Sequence, residues 1–255
     1  MSLGHCAEMV EQGDPERFAL LAGTTEAVRE RLLPLYALNL EFARAAWASK
    51  EPMVAEMRIQ WWVDCLEDLL EGKPARVHPA LDAAAFLHED HEALTVLQAI
   101  AEARRWDVWR EPFSSAACLW HHLNATGGAL VWLCARALGE EQEGIIRQYG
   151  QAVALAAWLR AVPDMVGRGL QPLPSDEDAA IAALAREGLA HLAAARGQRA
   201  RVSAQALPAL LPGFEAEAIL EQAAANPALV REGGLGQSEF RRRGRLAWVA
   251  LSGRW

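Results

Sequence analysis

Apolar residues recur along this chain every three or four positions rather than every second one. After Arg58, Ile59, Trp62, Leu66, Leu69 and Leu70 fall on one helical face, which predicts an amphipathic helix there. The same spacing holds almost everywhere. It is interrupted at Lys50-Glu51-Pro52, Glu71-Gly72-Lys73-Pro74, Glu111-Pro112, Leu138-Gly139, Pro163 to Pro174 and Pro208 to Gly213, where Pro and Gly punctuate the pattern. The intervening segments run roughly 15 to 30 residues, the lengths of helices in a large bundle. Alanine is abundant and β-branched runs are scarce, which favours helix wherever periodicity alone is ambiguous. No fixed-period repeat is apparent. The expectation is an all-α, single-domain helical bundle over residues 1–255.

Two segments depart from ordinary amphipathic patterning. From Gly150 to Leu159 the chain is apolar nearly all round, which predicts a buried central helix leading into a Pro/Gly-rich loop. Beyond the turn-rich stretch from Ala224 to Gly236, Arg241, Arg242, Arg243 and Arg245 form the one concentrated basic run, followed by Trp248, Arg254 and Trp255. Residues 236–255 are expected to form a basic tail, either solvated surface or a contact for anionic lipid or a partner.

Composition narrows the class. Of 255 residues 52% are hydrophobic and ten are Trp, which suffices for a large core and excludes general disorder. The net charge of -8 argues against nucleic acid as a partner, because such binding depends on neutralising phosphates. Cys6, Cys65, Cys118 and Cys134 are too widely spaced for a zinc site or a disulfide framework and read as reduced core thiols of a cytoplasmic protein. The first residues carry acids where a signal peptide needs positive charge, so none is expected. The longest apolar stretch, around Ala152 to Val162, is interrupted by Arg160 and ends at Pro163, short of a bilayer span. Membrane contact is expected to be peripheral, at the inner membrane.

A family resemblance emerges from several separated motifs. Leu32-Leu33-Pro34-Leu35-Tyr36-Ala37-Leu38, then Met57-Arg58-Ile59-Gln60-Trp61-Trp62-Val63-Asp64 with Gly72-Lys73-Pro74 and His78-Pro79, resembles the opening of squalene and phytoene synthases. Leu119 to Gly139, with Thr126-Gly127-Gly128, is similar to the family's small-residue helix. Gly150-Gln151-Ala152 through Leu159-Arg160 to Leu173-Pro174 is similar to its second signature. The resemblance covers about residues 14 to 215. It implies an isoprenoid synthase type of bundle around a central cavity, in which two aspartate-rich helices hold Mg²⁺ for the leaving diphosphates of two condensing prenyl chains.

The aspartates themselves are missing. At the first motif the expected positions hold Ala43, Arg44 and Trp47; at the second they hold Ala161 and Met165, with Pro163 between them and only Asp164 nearby. Metal stabilisation supplies several kcal/mol and each ~1.4 kcal/mol is tenfold in rate, so losing both sites implies well over a ~10³-fold loss. Asn39-Leu40-Glu41, Met57-Arg58-Ile59-Gln60 and Leu159-Arg160-Ala161-Val162-Pro163 resemble instead a catalytically degenerate branch that includes a mitochondrial assembly factor for respiratory complex I.

The resemblance therefore implies a non-catalytic protein with no cofactor and no metal, acting in complex I assembly or as a lipid- or partner-binding scaffold. The alternative is an active prenyltransferase using Mg²⁺. Tyr36, Asn39, Glu41, Thr126, Arg160 and Asp164 are the candidate pocket residues, for a prenyl lipid or quinone. Arg160, a charge in an apolar segment, is expected to be paired with Glu41 or Asp164, or else to form an anion site. Arg241, Arg242, Arg243, Arg245 and Trp248 are the candidate membrane or partner contacts. Trp47, Trp61 and Trp62 are expected to pack in the core, and neither His88 with His91 nor His121 with His122 is expected to bind metal.

Overall fold

The structure is a computed structural model that describes residues 2–49 and 51–255. Lys50, part of the first expected break, lies outside the described residues. Every regular element among them is a helix. The chain runs through α1 (Ser2–Gly13), α2 (Pro15–Leu21), α3 (Glu26–Trp47), α4 (Pro52–Leu70), α5 (Pro79–Ala83), α6 (His91–Ala103) and α7 (Arg105–Trp109). It continues through α8 (Ala116–Leu123), α9 (Ala129–Ala137), α10 (Glu143–Gly167), α11 (Asp178–Gly197), α12 (Leu207–Leu210), α13 (Ala216–Ala225), α14 (Ala228–Glu232) and α15 (Glu239–Ser252). The helices gather into two compact units.

The first unit comprises the residues up to Trp109 together with Leu133–Gly139. Its helices start at side-chain caps: Asp14 accepts from the Arg17 N–H at 3.0 Å and Asp90 from that of Ala93 at 3.0 Å. Pro52 and Pro79 occupy the first turns of α4 and α5, where a missing N–H costs nothing. α3 packs along α1 and α4, and α4 on α6. Leu32, Leu35, Leu38, Phe42, Ile59, Leu66, Leu97 and Ile100 are the fully buried centre.

The second unit comprises Arg110–Trp132 and Glu140–Trp255. Its axis is α10, which packs on α11, α13 and α14. The expected small-residue helix is two helices joined by a π-helical turn over Asn124–Gly128. The turn lies against α10 so closely that a Cβ on Gly150 would sit 2.9 Å from the Gly128 Cα, and one on Gly127 would sit 2.7 Å from the Ala154 Cβ. The glycines thus let two backbones touch, which no larger residue allows.

Three expectations need correction here. From Gly150 to Leu159 α10 is largely buried, with Ala157 exposed, and beyond that stretch Arg160, Ala161 and Asp164 complete an exposed stripe. The helix also continues through Pro163 to Gly167 before the expected loop begins. Among the tryptophans Trp62 is buried, but Trp47 and Trp61 are substantially exposed; among the cysteines Cys118 is exposed, beside Ser114 and Ser115, while the other three are buried.

Candidate functional site

The two helices that carry the aspartate positions build quite different surroundings. On α3, Tyr36 is fully buried, with the Arg17 guanidinium 5.3 Å from its ring centre and the Cys134 thiol as its hydrogen-bond partner; burial pushes its hydroxyl pKa well up. Asn39, one turn on, accepts from Arg104 at 3.0 Å. Both are interior fixtures of the first unit. Glu41 lines an open groove, of about 570 Å³, with Arg44, Ala45, Ala48, Arg58, Trp61, Trp62 and His78.

The groove has an aromatic wall and a mixed, mostly cationic rim. Trp62 packs edge-on against Phe42 at 5.2 Å, Trp61 at 4.8 Å and His78 at 4.7 Å. The His78 Nδ1 accepts from the Ala80 N–H at 3.2 Å, capping α5, which leaves Nε2 toward Glu41 at 4.0 Å. Burial lowers the His78 pKa, and Glu41 opposes that only in part. Glu41 also lies 3.6 Å from Arg44, one turn along the same helix. Arg58 has no hydrogen bond or ion pair among the described residues.

On α10 the exposed stripe is Ala157, Arg160, Ala161 and Asp164. Arg160 pairs neither with Glu41 nor with Asp164, as expected from the sequence, but with Glu215 at 3.6 Å. Glu215 is buried and also takes the Nε of Arg242 at 2.9 Å, so one interior carboxylate holds two arginines. Asp164 is largely exposed and is bridged by Arg168 at 2.9 Å. Thr126 is buried in the π-helical turn, its hydroxyl donating to the His122 carbonyl at 2.7 Å. His122 itself packs between Phe113 and Trp158, while His121 is exposed.

Mg²⁺ needs several converging carboxylate oxygens. Each stripe carries one carboxylate, Glu41 or Asp164, and each of these already has an arginine of its own helix beside it. No group of three or more His, Cys, Asp or Glu side chains suited to a metal exists among the described residues. The residues at these two stripes do not fit the metal chemistry that the resemblance implies.

The basic tail is a helix, α15, and two of its expected outward contacts point inward. Arg242 is held by Glu215, and Arg245 by Glu217 together with the Phe214 carbonyl at 2.6 Å. Trp255 is buried against Tyr149 at 4.8 Å, with its carbonyl taking the Arg196 guanidinium at 3.0 Å. Arg242, Arg245 and Trp255 are therefore part of the fold, and the tail is not separable from it. Arg241, Arg243 and Trp248 remain on the outer side. Glu215 and Glu217 were missed by sequence reasoning; the signal was two carboxylates flanking Ala216 in the otherwise apolar run from Leu207 to Leu220.

Comparison with known proteins follows the same lines. The family model described as squalene/phytoene synthase matches residues 10–179. A mouse protein, "NADH dehydrogenase (ubiquinone) complex I, assembly factor 6", is 22% identical over 175 residues, 68% of this chain and 53% of its own length. The chain thus spans about half the length of that relative. Among solved structures, a dehydrosqualene synthase in complex with ligand aligns over 98% of this chain and 96% of its own, with 13% identity and a TM-score of 0.78. The squalene synthase HpnC from Alicyclobacillus acidocaldarius aligns over 92% and 95%, with 14% identity and a TM-score of 0.72. At these identities the likeness shows the fold, which is that of the squalene synthases.

Proposed function

Since the chain belongs to the squalene/phytoene synthase family, we propose that it is a member in which prenyl diphosphate condensation has lapsed, and that it acts as an assembly protein on the shared scaffold, with respiratory complex I as the partner. The observation that carries this reading is the replacement of the metal-binding aspartates at both motifs: Ala43, Arg44 and Trp47 on α3, Ala161 and Met165 on α10. An arginine at a metal position repels the cation that the chemistry requires. The mouse relative supplies the complex I part of the reading through its name.

The test has two arms. Purified protein given farnesyl or geranylgeranyl diphosphate with Mg²⁺ is expected to release no pyrophosphate above blank. Deleting the gene in its host is expected to lower complex I activity while leaving carotenoid and hopanoid content unchanged. Turnover at ordinary enzymatic rates, or loss of an isoprenoid with complex I intact, overturns the proposal in favour of an active prenyltransferase.

The groove on α3 favours a second, compatible reading, that the protein carries a prenyl lipid or quinone. An aromatic wall beside Arg44 and Arg58 suits a ligand with an apolar body and an electronegative head. Native mass spectrometry of gently purified protein is expected to show a co-purified lipid, lost in the Trp61→Ala variant. A consistently bare protein mass removes this reading and leaves the assembly proposal standing.

A further inference from the structure

α15 has two opposed faces. The inner one presents Arg242, Arg245, Leu246 and Val249, spaced three and four apart, and is fixed by the Glu215 and Glu217 pairs already described. The outer one presents Phe240, Gly244, Ala247, Trp248 and Leu251, which also recur at helical spacing and so form a single stripe. Its three large side chains are 88%, 51% and 89% exposed for Phe240, Trp248 and Leu251. Singly exposed apolar residues are ordinary. Three aligned along fourteen residues of one well-anchored helix are not.

The charges around the stripe specify what covers it. Arg241 and Arg243 stand on its two borders, and both are exposed. Arg241 has no partner among the described residues, and Arg243 reaches only Glu239, at 2.8 Å in an exposed pair that contributes little. From Arg241 to Trp255 the sequence contains five arginines and no Asp or Glu, in a chain whose net charge is -8. Apolar side chains between two basic borders, with an indole among them, match the boundary between lipid headgroups and acyl chains. A groove on a folded partner would need no such cationic margin on both sides.

We propose that the outer face of α15 is a membrane-surface contact, with the helix lying flat on an anionic bilayer, Phe240, Trp248 and Leu251 at the acyl boundary, and Arg241 and Arg243 against lipid phosphates. The contact stands whether or not the chain is catalytic. It shifts the tail's function away from Arg242 and Arg245, which hold the helix in place, and onto the residues that turn outward. None of the helices among the described residues is long and apolar enough to cross a membrane, so this attachment lies on the surface.

Co-sedimentation of the full-length protein with vesicles of phosphatidylglycerol and phosphatidylcholine, against phosphatidylcholine alone, tests the proposal. Binding to the anionic vesicles is expected, weakening as salt is raised. The triple variant Phe240→Ser, Trp248→Ser, Leu251→Ser is expected to lower it at least tenfold, and Arg241→Glu with Arg243→Glu to abolish the preference for anionic lipid. Because all five positions face outward, melting temperatures should stay at the wild-type value; a variant that melts early is replaced by the corresponding single substitutions. Amide exchange over residues 239–252 should slow in vesicle-bound wild type. Equal binding by wild type and triple variant, or unchanged exchange there, overturns the proposal. So does a wild type that ignores vesicles but self-associates through this face, which would make the stripe a protein contact.

Discussion

At the positions where the family resemblance implies aspartates, α3 and α10 have different surroundings. On α3 these positions are a surface: Arg44 sits beside Glu41 in a partly solvated pair, Trp47 is exposed, and Arg58 lines the same groove with no partner among the described residues. On α10 the retained arginine has been drawn into the fold, where buried Glu215 holds Arg160 and Arg242 together. The first helix thus presents an open face, whereas the second is bound by a structural tie.

The largest expected effect follows from that tie. Glu215→Ala removes the buried carboxylate that Arg160 and Arg242 share. Breaking a buried pair in this way costs about 3 kcal/mol, and because both arginines keep some solvent the value should lie at that lower end. At ~2–4 °C per kcal/mol for a chain of this size, thermal melting should fall by about 6–12 °C. A fall of under about 2 °C would mean that α10's arginine is as loosely held as α3's.

Somewhat smaller is the effect of crowding the close approach of α10 and the π-helical turn. Gly150→Ala places a methyl 2.9 Å from one backbone atom of Gly128 and 3.0 Å from its carbonyl oxygen, neither of which can rotate away. Overpacking of this kind costs about 1–3 kcal/mol. The same substitution at Gly144, on the same helix, meets nothing within 4 Å and should be neutral or slightly stabilising, since alanine is the better helix former. Circular dichroism melts of the two variants give the contrast directly.

Much of this was legible beforehand. The helical period along α3, α4 and α10, the breaks near Gly72 and Gly139, and the missing aspartates are all statements about residue type and spacing, which the sequence carries openly. What stayed hidden depends on pairing between distant residues. Nothing local tells Arg160 to choose Glu215, fifty-five positions on, over Asp164, four positions on; the choice is made by the packing of α10 against α13 and the segment before it. The tail failed for a related reason. A run of arginines has the same composition whether it faces water or glutamates, and only the helical phase of α15 separates Arg242 and Arg245 from Arg241 and Arg243.

Acid should weaken the tail's inner face. Burial tends to raise the Glu217 pKa, but the Arg245 and Arg196 guanidiniums bonded to it outweigh that and hold it below the usual value. A carboxyl lowered in the folded state contributes stability above its unfolded pKa, about 4.3 for Glu, and loses that contribution as pH falls through the lowered value. Melting temperature should therefore drop as pH is taken from ~5 to ~3, and Glu217→Gln should flatten part of the slope. Asp90 keeps part of the remainder, because hydrogen bonds from the Arg136 guanidinium likewise lower its pKa. Identical slopes in wild type and Glu217→Gln would remove Glu217 from the account.

The smallest effect is expected on α3, and its smallness is the point. Glu41 lies 3.6 Å from Arg44 and 4.0 Å from the His78 Nε2, with Arg44 about half exposed, so water already competes for both partners. Exposed pairs contribute about 0–1 kcal/mol, and Glu41→Gln keeps the side chain's shape while removing its charge. Melting should shift by no more than about 4 °C, less than for Glu215→Ala. The same variant should strengthen binding of any anion held by Arg44 and Arg58, because the carboxylate lining the groove among the described residues is gone. Titrating inorganic pyrophosphate into wild type and Glu41→Gln, without metal, measures this. Tighter binding in the variant with melting unchanged marks α3 as an open recognition face; a large loss of stability would instead make Glu41 a tie of the same kind as Glu215, and the contrast between the two helices would disappear.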